Sequence, residues 1–339
     1  MRATFHDHEG LIVRTDCKPF AIMDETPLCE TVVVNGADVV TTVVSPPKPA
    51  PGRGTLLGVA TGATAMVCVG GSVAVSSVLA GAPVFTAEAV RYGLACLLLV
   101  ALAGATGRPL TRPRGTEWLW LAGIAVTGLV LFNLALVEGA GHAEPAVLGV
   151  AVACVPAVLA IVGPLLEGTR PKVRAIAAAL VVTGGAGLVQ GLGRADATGV
   201  AWAVVVFGCE AAFTLLAIPV LKRHGPWGVS VHATWLATVM FALIGAIKEG
   251  PAAVTDLTRS GWLAVGYLAV AVTAAAFVLW YSSVSRLGAS RAGLLTGIAP
   301  VAAAGSGVLL GAPAPRPLVW AGMAVVAIGL ALGFRKGTR

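Results

Sequence analysis

Long apolar runs separated by short polar connections dominate the chain after residue 54. The runs are continuous and lack the apolar–polar alternation of membrane strands, so they predict helices rather than a barrel. A hydrocarbon layer about 30 Å thick requires roughly 20 apolar residues per helix. Ten runs meet this length, which predicts an all-α membrane protein with ten transmembrane helices at 55–79, 83–103, 116–137, 145–166, 173–192, 198–220, 228–247, 260–283, 289–310 and 317–334.

Residues 1–54 differ sharply from the rest, being acidic at first and closing on a proline-rich linker. This composition predicts a cytoplasmic, mostly disordered tail. The Val/Thr-rich stretch Thr31–Val44 favours a short hairpin around Asn35-Gly36, because Asn-Gly suits a tight hairpin turn.

The formal net charge of +7 could indicate a nucleic-acid partner, but the distribution of the basic residues gives a different explanation. With the N-terminus inside, fourteen Lys and Arg flank the helices on the cytoplasmic side and four on the outer side. This asymmetry predicts a multi-pass inner-membrane protein with both termini in the cytoplasm, residues 335–339 included, and no nucleic-acid partner. No cofactor or metal is expected, because the His and Cys residues show no standard ligand spacing.

The chain repeats itself at a constant offset of 144 residues, which aligns Trp118 with Trp262, Gly149 with Gly293, Pro156 with Pro300, Gly163 with Gly307, and Gly185 with Gly329. The repeat divides the chain into two five-helix halves, 55–193 and 197–334. Since five is odd, the second half enters the membrane from the opposite side. Two inverted repeats place a substrate site near the midplane, between the halves.

This pattern resembles the EamA-type members of the drug/metabolite transporter superfamily, over about residues 55–334. The residues that carry the resemblance are Pro83 to Arg91, Gly149 and Pro156 with Leu165-Leu166-Glu167-Gly168, their second copies Gly293 and Pro300 with Leu309-Leu310-Gly311, and Gly208 to Phe213. The resemblance implies a ten-helix carrier with alternating access. Gly311-Ala312 departs from it, because the family frequently has Glu there, and so does the long N-terminal tail.

Ionisable groups inside a bilayer are expensive, so each is a functional hypothesis. Glu210 lies about twelve residues into the sixth helix, roughly 18 Å along its axis, with no Lys or Arg within a turn. Desolvation favours its neutral form, so it could exchange a proton when water reaches it. The alternative is a Glu that only fixes helix packing.

Glu88 and Arg91 are three residues apart on the second helix and therefore share a face. They could form a static pair, or a pair that opens to bind a zwitterionic or carboxylated substrate. The repeat offset maps Glu88 onto His232, which could titrate near neutrality or simply pack.

The remaining candidates are uncharged. Asn133 could donate a hydrogen bond to a substrate, and Trp202, Trp280 and Tyr281 could line a central cavity, although Trp and Tyr also favour membrane interfaces. Pro156 and Pro300 interrupt helices four and nine and are expected to act as hinges beside the cavity.

The sequence as a whole predicts a secondary transporter rather than an enzyme, specifically an exporter of a small metabolite, amino-acid-like or drug-like compound. The expected partners are that substrate, membrane lipid and protons; a monomer and a homodimer fit equally well. The alternative is a membrane-anchored sensor or partner-binding protein. An intramembrane enzyme is disfavoured, because no catalytic motif of the H-E-x-x-H or G-x-S-x-G type appears.

Overall fold

The computed structural model describes residues 2–6, 12–17, 29–35, 38–44, 53–79, 81–191, 193–309 and 314–335. The chain divides into two compact units, one up to Leu56 and one from Leu57 onward. The predicted positions Gly36, Leu192, Leu310 to Ala312, and 336–339 lie outside the described residues.

The first unit contains four antiparallel strands in the order of the chain: β1 Arg2–His6, β2 Ile12–Cys17, β3 Cys29–Asn35 and β4 Asp38–Val44. The hairpin predicted within Thr31–Val44 is the β3–β4 pair, in which Asn35 lies opposite Asp38. The sequence predicted no order in residues 2–17, where β1 pairs with β2.

The second unit confirms the all-α membrane fold. Among the described residues, ten helices are long and apolar enough to cross a membrane. They are α1 Arg53–Ser76, α2 Val84–Ala105, α3 Glu117–Gly139, α4 Pro145–Leu166, α5 Val173–Gln190, α6 Ala197–Leu215, α7 Ile218–Lys248, α8 Arg259–Leu287, α9 Ala289–Leu309 and α10 Pro317–Phe334.

The boundary between α6 and α7 differs from the prediction, which extended the sixth helix to 220. The chain leaves α6 at Leu215, forms a short amphipathic segment, and breaks at Gly225, whose φ of 63° and ψ of 176° are not helical. The segment buries Val220 and Leu221 and exposes Lys222. Its apolar residues extended the hydropathy signal beyond the true end of α6.

The helices run alternately, so the connections α2–α3, α4–α5, α6–α7 and α8–α9 lie at one end of the bundle, here called the basic end. Two contacts fix the direction of neighbouring helices. Arg174 at the start of α5 donates to the carbonyl of Leu332 at the end of α10, at 2.9 Å. Glu249, after α7, accepts from the backbone N–H of Phe85 in α2, also at 2.9 Å. The α5–α10 and α2–α7 pairs are therefore antiparallel.

Small residues allow α5 and α10 to pack closely. A methyl group added at Gly185 would lie 2.6 Å from the backbone nitrogen of Val326, and one at Gly322 would lie 2.7 Å from the carbonyl oxygen of Gly185. Such contacts are typical of membrane helices, whose association depends on close backbone approach rather than on apolar burial.

Irregular turns occur at matching places in the two halves. A π-helical segment occupies Ile124–Leu131 in α3 and another occupies Leu268–Ala275 in α8, at the 144-residue offset of the repeat. The helix α4 is interrupted at Cys154, and α9 is interrupted by a 3₁₀ turn at Leu295–Gly297. Each interruption precedes the proline that the sequence singled out, because proline cannot donate to the preceding turn. The inverted orientation of the halves remains a prediction.

Candidate substrate site

A buried ion pair on α2 is hydrogen-bonded to α8. Arg91 lies 3.2 Å from the Glu88 carboxylate, and the side chains of Arg91 and Glu88 are only 13% and 9% exposed. The guanidinium also donates through Nε to Oγ1 of Thr273 at 2.8 Å. Thr273 is fully buried and belongs to the π-helical segment of α8. The predicted i,i+3 pair is therefore present, held closed by a hydroxyl from the other half of the chain.

Asn133 lies in the same region and contacts Tyr92, the residue that follows Arg91. Its amide nitrogen donates to the Tyr92 hydroxyl at 3.3 Å and to the carbonyl of Leu129 at 2.7 Å. The Tyr92 ring stacks on Phe241 with centroids 5.6 Å apart. Asn133 thus connects α3 to the α2–α7 pair, immediately beyond the π-helical segment of α3.

Glu210 lies on α6, near the aromatic residues of α8. Tyr281 is fully buried and donates to the Phe213 carbonyl at 3.2 Å, one turn beyond Glu210. Trp280 donates through its indole N–H to Oγ1 of Thr214 at 3.0 Å. Within the described residues, the half-buried Glu210 carboxyl has no hydrogen-bond or ion-pair partner, although it interacts electrostatically with Tyr281.

The three predicted aromatic residues therefore do not share one site. Trp280 and Tyr281 lie beside Glu210. Trp202 lies eight residues before Glu210 on α6, towards the end of the bundle opposite the basic end. It packs next to α3, because a methyl group added at Gly139 would lie 3.1 Å from the Trp202 Cβ.

His232 lies near the basic end, apart from the other candidates. Its Nε2 is 2.9 Å from the Thr111 carbonyl, and the Trp235 indole donates to its Nδ1 at 3.4 Å. These partners fix the neutral tautomer with the proton on Nε2, because Nδ1 must accept and Nε2 must donate. The repeat offset pairs it with Glu88, but antiparallel counterparts place equivalent positions at opposite ends of the bundle.

The helices α4 and α9 cross at residues 159–163 and 289–293, next to the interruption of each helix. A methyl group added at Gly293 would lie 2.9 Å from the Leu159 Cβ, and one at Gly163 would lie 2.8 Å from the Ala289 Cβ. Pro156 follows the first interruption and lies three residues before Leu159, and Pro300 follows the second and lies seven residues after Gly293. Whether the helices bend there remains a prediction.

Two carboxylates that cap the N-termini of other helices were not predicted as functional residues from the sequence. Glu167, at the end of α4, accepts from the Ala289 N–H at the start of α9 at 2.7 Å. Glu249 accepts from the N–H groups of Phe85 and Thr86 and from the Thr86 hydroxyl at 2.7 to 2.9 Å. The sequence signal for such a contact is a Glu directly after a transmembrane helix, because the N-terminus of a neighbouring helix favours an anion. The sequence does not show which helix that neighbour is.

The comparisons with known proteins agree with this architecture. The model of the EamA-like transporter family matches the chain twice, at residues 56–190 and 197–335. The chain belongs to the EamA-like transporter family. Each match covers one five-helix half, so this EamA-family chain contains two copies of the same unit.

Two relatives of this EamA-family transporter are similar along most of its length. The uncharacterized transporter YetK of Bacillus subtilis is 28% identical over 261 residues, which cover 74% of this chain and 79% of YetK. A probable terminal-alkyne amino-acid exporter of Streptantibioticus cattleyicolor is 29% identical over 262 residues, or 72% of this chain and 85% of that protein. Both names are those of transporters, which places the chain among multi-pass membrane transporters rather than enzymes.

The fold also occurs in solved structures. One crystal structure superposes with a TM-score of 0.70 at 22% identity, covering 84% of this chain and 98% of that one. At this identity the likeness establishes the fold alone.

Proposed function

We propose that this transporter exports a small amino-acid-like metabolite by alternating access, and that the Glu210 carboxyl binds a proton and the substrate amine in alternation. The similarity to a probable amino-acid exporter supports the substrate class. Fourteen basic residues at one end against four at the other support an inner-membrane topology with that end in the cytoplasm.

The observation that carries the proposal is the unpartnered state of Glu210. Glu88, which is also buried, pairs with Arg91, and Glu117 and Glu144 near the helix ends pair with Arg223 and Arg194. A carboxylate without a cation is costly in a medium of low polarity, so Glu210 is favoured as the neutral acid. An entering ammonium group supplies the missing positive charge and displaces the proton.

The arrangement of the halves supports alternating access. The α2–α7 and α5–α10 pairs are antiparallel. Irregular turns occur at matching positions, and α4 crosses α9 beside two interruptions. Rocking of one half against the other around this crossing exposes a central site to each side in turn. Contacts at both ends, Glu167 to α9 and Glu249 to α2, must then change between the two states.

Transport in proteoliposomes tests the proposal. The probe is a terminal-alkyne amino acid, and its movement is followed with and without an imposed pH gradient. We expect Glu210→Gln to abolish the response to the gradient, because the amide cannot exchange a proton. The matched control is Glu138→Gln, since Glu138 is exposed near the end of α3. Full pH-driven transport by Glu210→Gln would show that another group couples protons.

A further inference from the structure

An apolar groove lies between α4 and α6, on the side of the bundle that α6 presents to lipid. Its volume is about 380 Å³, and the residues that line it are Val147, Val150, Ala151, Cys154, Val200, Ala203, Val204 and Phe207. Val200 and Val204 form an open rim, being 53% and 63% exposed, while Ala203 is 8% exposed and forms the floor. No oxygen or nitrogen of a side chain faces this groove, so its occupant must be apolar.

The groove ends beside two elements of the proposed site. One end is at Cys154, where α4 is interrupted, and at Phe207 of α6. Phe207 and Glu210 are three residues apart, which is about 4.5 Å along the helix axis and on neighbouring faces. The unpartnered carboxyl thus lies one turn beyond the apolar lining.

We propose that this groove is the binding subsite for the unbranched apolar chain of the transported molecule, whose amine is held at Glu210. The inference rests on the proposed function and names its substrate class: amino acids with a linear hydrocarbon side chain. A bilayer lipid fits less well, because its headgroup lies at the interface and its chain would offer Glu210 no charged group. A transported amine with an apolar chain satisfies both the carboxyl and the groove.

The proposal predicts a dependence on chain length. Each methylene buried contributes a gain of about fourfold in apparent affinity, which corresponds to ~0.8 kcal/mol. The probes are straight-chain α-amino acids from alanine to 2-aminooctanoic acid, each tested in proteoliposomes for its apparent KM. The wild-type protein should show the gain until the groove is filled.

Two variants change the groove in opposite directions. Val204→Trp fills it from the exposed rim and should abolish the gain for the longer chains while alanine transport persists. Val147→Ala opens the end of the groove away from Glu210 and should extend the gain to longer chains. The matched control is Val239→Trp, because Val239 is 47% exposed on α7, outside the groove, and should leave the series unchanged.

The outcomes separate the two proposals. If the series is transported but Val204→Trp and Val147→Ala both give the same chain-length series as the control Val239→Trp, the groove holds only lipid and the subsite is refuted, while the proposed function stands. If Val204→Trp loses even alanine transport, the result for Val147→Ala decides: an extended gain supports the subsite, and an unchanged series refutes it. If the wild-type protein moves no member of the series, the proposed substrate class is refuted and the subsite with it.

Discussion

The buried pair of Glu88 and Arg91 allows a quantitative prediction about stability. Arg91→Leu removes both the charge opposite Glu88 and the hydrogen bond to Thr273. Breaking a buried pair by removing one partner costs about 3–5 kcal/mol, because it leaves an uncompensated charge. Replacing both partners by apolar residues is often neutral or stabilising. We therefore expect Arg91→Leu to lose about 3–5 kcal/mol and Glu88→Leu/Arg91→Leu to recover most of that loss.

The assay is a double-mutant cycle on the free energy of unfolding, measured by SDS titration in mixed micelles. The control is Arg316→Leu, which removes a basic residue just before α10 and should change stability by less than about 0.5 kcal/mol. If the double variant is as unstable as Arg91→Leu alone, the pair does not act as a unit and the reasoning is refuted. A static pair gives the full recovery without any loss of transport, whereas a pair that opens for substrate loses transport even in the recovered double variant.

Three other predictions concern packing, capping and pH. Gly185→Ala should destabilise the protein by about 1–3 kcal/mol through overpacking against α10. Gly184→Ala should not, because its added methyl group meets nothing within 4 Å. Equal thermal stabilities of the two variants would contradict the close packing. Glu249→Ala should lower the free energy of unfolding by about 0.5–2 kcal/mol, because it removes the cap of α2. The control Asp256→Ala should be neutral, and an unchanged unfolding midpoint for Glu249→Ala would contradict the cap. The Gly199 N–H and His142 lower the pKa of Asp196, and Arg194 lowers the pKa of Glu144. Because the folded pKa values are lowered, these contacts stabilise the folded state fully above the ordinary pKa values of about 3.9 and 4.3. This stabilisation is lost as pH falls through the lower pKa values of the folded state. The Tm difference between the wild-type protein and Asp196→Asn should therefore vanish at low pH, and a difference that persists would refute the linkage.

Much of the bundle could be predicted because the membrane imposes simple rules. Length and hydropathy predicted ten spans, and α4 begins and ends where the apolar run does, at Pro145–Leu166. The rule failed between α6 and α7, where the buried Val220 and Leu221 belong to the short segment between the end of α6 and the break at Gly225. Hydropathy records burial in protein and burial in lipid alike, so it could not separate the two.

The site was predictable only where the partners are close in sequence. The pair of Glu88 and Arg91 follows from helical spacing, whereas the contact of Arg91 with Thr273 joins residues 182 positions apart. The repeat offset paired Glu88 with His232, but α2 and α7 are antiparallel, so these equivalent positions lie towards opposite ends of the bundle. The groove between α4 and α6 has no sequence signal, since its lining is as apolar as any lipid-facing surface.

The most direct measurement of the central claim is the number of protons released when an amino-acid ligand binds. Norvaline is added to the purified protein in weakly buffered detergent solution, and the pH change is recorded for the wild-type protein, Glu210→Gln and the control Glu138→Gln. If Glu210 exchanges its proton for the substrate amine, the wild-type protein and Glu138→Gln release up to one proton per ligand bound, and Glu210→Gln releases none. Binding without proton release in the wild-type protein, or an unchanged release in Glu210→Gln, would contradict the account.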